Sequence, residues 1–464
     1  MIIKKPRWAA WQRRYPACAK KTKRIKVRVT TITAAKSFEK EYRAIASDKS
    51  LSHRAVMFAL LAKAPCEVRG FLKGEDTLHT LEIARALGLS VEWDSKNSQN
   101  LKLTPPPSIC EPRSVLDCGN AGTGMRLYAG LLSGVRGHFI LSGDQYLNAR
   151  PMGRVIEPLN SIGARVRGRE GNRYAPLSIE GASLKPFVYE SKVASAQVKS
   201  AMILAALRAE GISRFIEPSL SRDHTENMLR GMGVGLDSKR LNDGRVEVSI
   251  ESCGNSVLDG FSLTIPADPS SAFYFAVAAC VCHSKVRLCN VLLNPTRIEA
   301  FKILESMGAS VRYVLKESHY EQIGDIEVEG RALRAVSVSE NIAWLIDEIP
   351  ALSVCFAIAR GRSEVRNASE LRVKESDRIQ ASVAGLRAMG IECEEFDDGF
   401  SVLGGELKPA RIHSYGDHRI AMSFAIAMLA CGGEIEDSEC IDVSFPNFLE
   451  LLAQIAKVES REWK

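Results

Sequence analysis

The stretch ARALGLSVEW, residues 84–93, runs from a helical pattern through Gly88 into alternating residues that suit a strand. A glycine just past a helix takes the left-handed conformation that closes it, and alternation of apolar and polar residues suits a half-buried strand. The same passage recurs as LNSIGARV (159–166), LRGMGVGL (229–236), LESMGASV (304–311) and LRAMGIEC (386–393). The glycines Gly88, Gly163, Gly233, Gly308 and Gly390 are separated by 75, 70, 75 and 82 residues. A period of that size marks a repeated supersecondary unit.

A second, more apolar helix recurs at the same period. It starts near SHRAVMFALLA (52–62), GTGMRLYAGLL (122–132), AQVKSAMILAAL (196–207), SSAFYFAVAACV (270–281), DEIPALSVCFAIA (347–359) and DHRIAMSFAIAMLA (417–430), six times in all. A helix apolar on nearly every side must be buried, so each unit is expected to place one helix inside and one amphipathic helix outside against a small sheet. Three units of about 70 residues fill one domain of ordinary size, and six fill two.

Composition narrows the class. With 45% hydrophobic and 25% charged residues the chain reads as a soluble globular protein, and its longest apolar runs fall short of the ~20 residues of a membrane helix. Twelve cysteines without a CxxC pair point to reduced thiols in the cytoplasm. Cys280, Cys282 and His283, the nearest thing to a metal cluster, close an apolar helix and read as small buried hydrophobes. The net charge of +7 is local: residues 1–28 hold eleven Lys and Arg and no acid, leaving 7 − 11 = −4 for the rest. This head has no apolar periodicity and reads as a disordered extension.

The starts of the buried helices carry the functional signal. Each has helix-capping residues, among them Ser50, Gly122, Ser195, Ser270, Asp347 and Asp417, and capping alone explains any one of them. Lys49, Arg54, Arg126, Lys199 and Arg419 stand there too. A helix N-terminus is already partly positive, so each added cation costs about 0.3–1 kcal/mol unless an anion is present. Recurrence of that cost implies a cleft that binds small molecules with several phosphate or carboxylate groups. LRVKESDRI (371–379) concentrates charge in the same way, although the spacing of Lys374, Asp377 and Arg378 equally fits a solvated helix face.

The motifs SDKSLSHRA, LDCGNAGTGMRL, NARPMGRVIEPL, SAQVKSA, SRDHTENML, LIDEIPALS, LRVKESDRI, YGDHRIAMSFA and SFPNF occur in this order, and together they closely resemble the EPSP synthase family of 3-phosphoshikimate 1-carboxyvinyltransferases. The resemblance runs from about Glu41 to near Gln454 and leaves out the basic head. It implies an α/β fold of two similar domains, each of three βαβαββ repeat units, with the active site in the interdomain cleft. The implied division is a basic extension over 1–40, a continuous domain over 48–265, and a discontinuous one from 41–47 plus 266–464. It implies transfer of the enolpyruvyl group of phosphoenolpyruvate to the 5-hydroxyl of shikimate 3-phosphate, a step of the shikimate pathway, by a cytoplasmic monomer. No metal or organic cofactor, nucleic acid or membrane is implied.

Carried over motif by motif, the resemblance gives shikimate 3-phosphate to Lys49, Ser50, Arg54, Ser195, Gln197, Arg222, Asp347 and Lys374. Phosphoenolpyruvate falls to Lys49, Asn120, Gly122, Arg150, Gln197, Arg378 and Arg419. Asp347 is expected to take the hydroxyl proton and Glu375 to exchange protons at the methylene, with Lys49 touching both substrates and Asp377 orienting the arginines. Gly122, before the threonine of N-A-G-T, is the residue with which family members admit the competitor glyphosate. Departures from the best-known branch are Ser47 for glycine, Ala196 for serine, His224 for tyrosine and Val443 for lysine, with Lys199 as a substitute for that last cation. Two rivals remain: transfer of enolpyruvate to UDP-N-acetylglucosamine, whose family carries a reactive cysteine in a mobile loop, a motif that does not appear here because Cys118 beside GNAGT has neighbours that match the shikimate enzyme, and a non-catalytic polyanion binder using the basic head.

Overall fold

The computed structural model describes residues 27–253 and 258–463. Among them are six four-stranded sheets, each with a parallel first pair and two antiparallel pairs, the pattern of a βαβαββ unit. Its six central helices are Lys49–Ala59, Gly122–Ser133, Ala196–Ala206, Pro269–Val281, Ile349–Ile358 and His418–Ala427. They are buried almost end to end, as their apolar sequences require. The helices that close on the repeated glycines lie outside. All five glycines have positive φ, from 84° to 115°, and each leads into the edge strand of its sheet.

The chain makes two hydrophobic cores. One gathers residues 51–265 with Leu292, the other gathers 267–452 with Ile32, Tyr42, Ile45, Ala46 and Leu72. Within each, the three central helices pack on one another and the sheets cover them. The approach is closest where a methyl on Gly130 would stand 2.1 Å from the Ala201 carbonyl oxygen, so only hydrogen fits there.

Two features are not simple repeats. The first strand of the opening unit is Ser262–Thr264, which pairs in parallel with Cys66–Arg69. That of the fourth unit is Glu39–Tyr42, paired with Lys285–Leu292, so each half borrows a strand from next to the opposite crossing. The sixth sheet is closed by Val27–Ile32, which lies between Gly433–Glu436 and the C-terminal strand Val458–Trp463. This corrects the extension expected over 1–40. Residues 27–32 and 39–42 are strands, and Arg28 donates to Asp442 and to the Ser438 carbonyl. Basicity hid a β-branched run, VRVTTI, whose strand character was the better guide. The disorder expected of residues 1–26 lies outside the described residues.

Candidate active site

The halves are tied at two crossings that pair with each other. Ser47 and Ala267 form an antiparallel bridge, the Asp48 amide donates to the Pro266 carbonyl at 2.8 Å, and the Asp268 amide donates to the Ala46 carbonyl at 2.8 Å. Each crossing ends in an aspartate that caps a central helix, Asp48 for Lys49–Ala59 and Asp268 for Pro269–Val281. The carboxylate of Asp417 does the same for His418–Ala427. Helix starts from both halves thus face one cleft.

At its centre stand Asp347 and Glu375 in a ring of guanidinium groups. Arg222, from the first half, donates to Asp347 at 2.6 Å and to Glu348 at 3.3 Å. Arg378 reaches Asp347 at 3.2 Å, Glu375 at 2.6 Å and Asp417 at 2.9 Å, and is only 2% exposed. Arg150, again from the first half, lies 3.4 Å from Glu375 and donates to Asn120. Arg154 and Lys374 both meet Glu370, at 2.8 and 3.0 Å. Burial pushes the Glu375 carboxyl up, but Arg378 and Arg150 outweigh it and hold the group far below the ordinary range. Asp347 is likewise ionised, its burial outweighed by Arg222, Arg419 and Arg378.

The solvated-face reading of Lys374, Asp377 and Arg378 therefore fails for Arg378, which is buried, while Asp377 turns to Arg372 at 2.7 Å, and Arg372 also meets Glu395 at 3.0 Å. Asp377 does not orient the cleft arginines; its other oxygen caps the Gln380 amide. That orienting part belongs to Asp417, which also accepts from Ser376.

The expectation that cations at helix starts require an external anion is modified as well. Lys49 pairs with Asp76, and Arg378 with three carboxylates, so the protein itself offsets most of the charge. Three guanidinium groups differ. Arg54 donates to Thr225 at 2.7 Å, Ser200 at 2.9 Å and the Ser50 carbonyl at 3.0 Å, and Arg126 to Gln197 at 2.7 Å and the Pro151 carbonyl at 3.2 Å; among the described residues neither makes an ion pair. Burial pulls their pKa values down, to about 10 and about 9. Arg419 is 7% exposed and 4.0 Å from Asp347, and its Nε and Nη1 have no hydrogen-bond partner among the described residues. Buried donors left unpaired are costly, by about 1–3 kcal/mol or more for a charged group, and an anionic ligand would remove that cost.

The remaining sequence-predicted residues fall around this centre. Gln197 donates to Thr123 at 3.0 Å and accepts from Arg126, so the starts of two central helices are joined at Gly122–Thr123. Asn120 donates to Asp144 at 2.9 Å. Ser195 occupies the cap position of Ala196–Ala206 without capping it, which leaves its hydroxyl free of that bond. Lys199 is not a cleft cation. It is fully buried between Glu217 and Glu226, each at 2.7 Å, and cannot replace the lysine missing at Val443. Cys118 is buried beside Asp117, and burial first and that carboxylate second push its thiol up, the opposite of a reactive thiolate. Sequence reasoning missed Glu348, Glu370, Asp76 and the part played by Asp417, although Asp347-Glu348 and Asp417-His418-Arg419 lay in quoted motifs. No cluster of three or more His, Cys, Asp or Glu with metal-binding geometry is found among the described residues.

Two halves of three βαβαββ units around an arginine-rich cleft share their fold with a solved enolpyruvyl transferase, NikO of Streptomyces tendae. The TM-score is 0.73 over 95% of this chain and 100% of the other, at 17% identity, a likeness of fold alone. The family profile of EPSP synthase (3-phosphoshikimate 1-carboxyvinyltransferase) matches residues 33–452, and the chain belongs to that family. The 3-phosphoshikimate 1-carboxyvinyltransferase of Helicobacter hepaticus is 68% identical over 437 residues, 94% of this chain and 99% of that protein. That of a Nitratiruptor species is 56% identical over 430 residues, 92% and 98%. Among solved structures, an EPSP synthase from Acinetobacter baumannii matches with a TM-score of 0.82 and 36% identity, covering 94% of this chain and 100% of the other.

Proposed function

We infer that the chain transfers the enolpyruvyl group of phosphoenolpyruvate to the 5-hydroxyl of shikimate 3-phosphate and releases phosphate. Both substrates carry a phosphate and a carboxylate. The observation that carries the reading is Arg419, buried beside Asp347 with two donors unpaired, in a cleft where Lys49, Arg150, Arg222, Lys374 and Arg378 are held by carboxylates. Phosphoenolpyruvate supplies anionic oxygens to Arg419, Arg378 and Arg150, with Asn120 and the Gly122 backbone alongside. Shikimate 3-phosphate takes Lys49, Ser50, Ser195, Gln197, Arg222 and Lys374. Arg54 supports that side from within, since its donors are turned to Ser200 and Thr225.

The chemistry is addition followed by elimination. A proton adds to the enol methylene, the 5-hydroxyl oxygen bonds to the central carbon as its proton leaves, and a tetrahedral intermediate results. A methyl proton then departs as the carbon–phosphate oxygen bond breaks. Asp347, held ionised by Arg222, Arg419 and Arg378, is suited to accept the hydroxyl proton. Glu375 must carry a proton to deliver one, and Arg378 and Arg150 oppose that. An anion that draws those guanidinium groups onto itself weakens their hold and lets Glu375 take up the proton it donates. Binding and proton delivery are thereby coupled, and the cations, once drawn onto the bound anions, stabilise the intermediate without further reorganisation.

The protein acts as a monomer in the cytoplasm on this reading; no helix among the described residues is long and apolar enough to cross a membrane. Phosphate release from phosphoenolpyruvate, measured with and without shikimate 3-phosphate, tests the reading. Release that depends on shikimate 3-phosphate is expected; release that depends instead on UDP-N-acetylglucosamine overturns it.

A further inference from the structure

One charged cluster lies sealed from solvent, outside the ring of cleft arginines. Lys199 is the fourth residue of the central helix Ala196–Ala206, in a stretch, residues 198–206, that is buried throughout. Its ammonium donates to Glu217 at 2.7 Å and lies 2.7 Å from Glu226, both of them enclosed as well. A buried lysine with two carboxylates is costly to desolvate, and replacing such a group by apolar residues of similar volume often leaves a protein as stable or more so. Stability alone therefore gives little reason for charge at this place.

What the cluster holds is a backbone turn. The strand Ile212–Glu217 ends on one of the two carboxylates, the helix His224–Gly231 follows, and residues 218–223 connect them. Both peptide groups of Ser221 are taken up here: its amide donates to Glu217 Oε1 at 2.9 Å, and its carbonyl accepts from Lys199 Nζ at 3.2 Å. The same Glu217 oxygen accepts from Lys199, so ammonium, carboxylate and peptide close a ring. Arg222 is the next residue. Its guanidinium crosses to the other half, donating to Asp347 at 2.6 Å, to Glu348 at 3.3 Å and to the Trp344 carbonyl at 3.1 Å. Its Nε is buried without a hydrogen-bond partner among the described residues, so the first half directs Arg222 through its backbone.

We propose that Lys199 is a positioning residue for shikimate 3-phosphate: with Glu217 it grips the Ser221 peptide and thereby sets where Arg222 stands among the groups that receive that substrate. An apolar side chain of the same length would fill the space but leave the Ser221 carbonyl without its donor. The turn would then carry Arg222 over a range of positions. A cation that must be ordered as its anion arrives binds that anion more weakly than one already in place. Charge at position 199 thus acts on the ligand at one remove, through a peptide.

The test is a double-mutant cycle of Lys199→Met with Arg222→Ala, read on the dissociation constant of shikimate 3-phosphate. Lys199→Met alone is expected to raise that constant about ten-fold, and in the Arg222→Ala background by less than about two-fold, because the group it serves is already gone. Amide hydrogen exchange of the ligand-free protein is expected to quicken over residues 219–223, while Val246–Glu251, in the same sheet, exchanges as in wild type. An unchanged constant in the single variant, or equal losses in both backgrounds, marks a residue that serves stability alone and overturns the proposal, as does exchange that quickens throughout the half or not at all. Lys199→Met leaves two enclosed carboxylates without a cation. Should it not fold, Lys199→Met/Glu217→Met, in which the lone Glu226 takes up a proton, is judged by the same criteria. The proposal rests on the substrate reading above; wild-type binding of shikimate 3-phosphate tests that reading separately, and the exchange comparison needs no ligand.

Discussion

A methyl group placed on Gly122 would stand 3.0 Å from Arg126 Nη1 and 3.2 Å from Arg150 Nη1. Both neighbours are the far ends of flexible side chains, so Gly122→Ala folds and shifts two cations by a few tenths of an ångström. A ligand seated against them loses room on that side. Glyphosate inhibition constants are expected to rise in Gly122→Ala by more than the KM for phosphoenolpyruvate; unchanged inhibition constants would sink this. At this scale the cations of the cleft were legible in the sequence, since motifs of fixed residue type carry them. Their partners were not. Arg378 pairs with Asp347, 31 residues earlier, and Asp417, 39 later, whereas the adjacent Asp377 turns to Arg372. Proximity along the chain pointed to the wrong carboxylate because only the folded backbone decides which neighbour faces inward.

Among the elements, the central helices meet with almost no side chain between them at Gly130 and the Ala201 carbonyl. Gly130→Ala gains helix propensity but forces two packed helices apart. Overpacking of this kind costs about 1–3 kcal/mol, and the melting temperature is expected to fall; an unchanged or raised value would mean that the helices separate freely. The helices themselves were legible, because continuous apolar faces and closing glycines are local signals. Strand membership was not. Glu39–Tyr42 and Ser262–Thr264 pair with strands about 200 residues or more distant, and no local pattern names a partner that far away. The sixth unit also lacked its glycine, so its outer helix, Phe448–Leu452, and its final strand emerged only in three dimensions.

Over the whole molecule, Val27–Ile32 supplies an inner strand of the sixth sheet, hydrogen bonded on both sides. Removing residues 1–32 exposes two strand edges and uncovers part of the core around Val29 and Ile32, which are 0% and 1% exposed. Such a truncation is expected to be insoluble or to melt well below one lacking only residues 1–26; equal melting of the two would show the strand to be dispensable. The division into six units and two halves could be read from periodicity and resemblance, while the closure of the last sheet by the start of the chain could not.

That closure has a temporal meaning. In synthesis, Val27–Ile32 is made about 400 residues before its partners Gly433–Glu436 and Val458–Trp463. The earlier strand therefore has to wait, unpaired, while the stretch between them is made. The half built from residues 51–265 can be complete long before then, and it stands as a finished neighbour beside which the other half assembles once its late strands have been made.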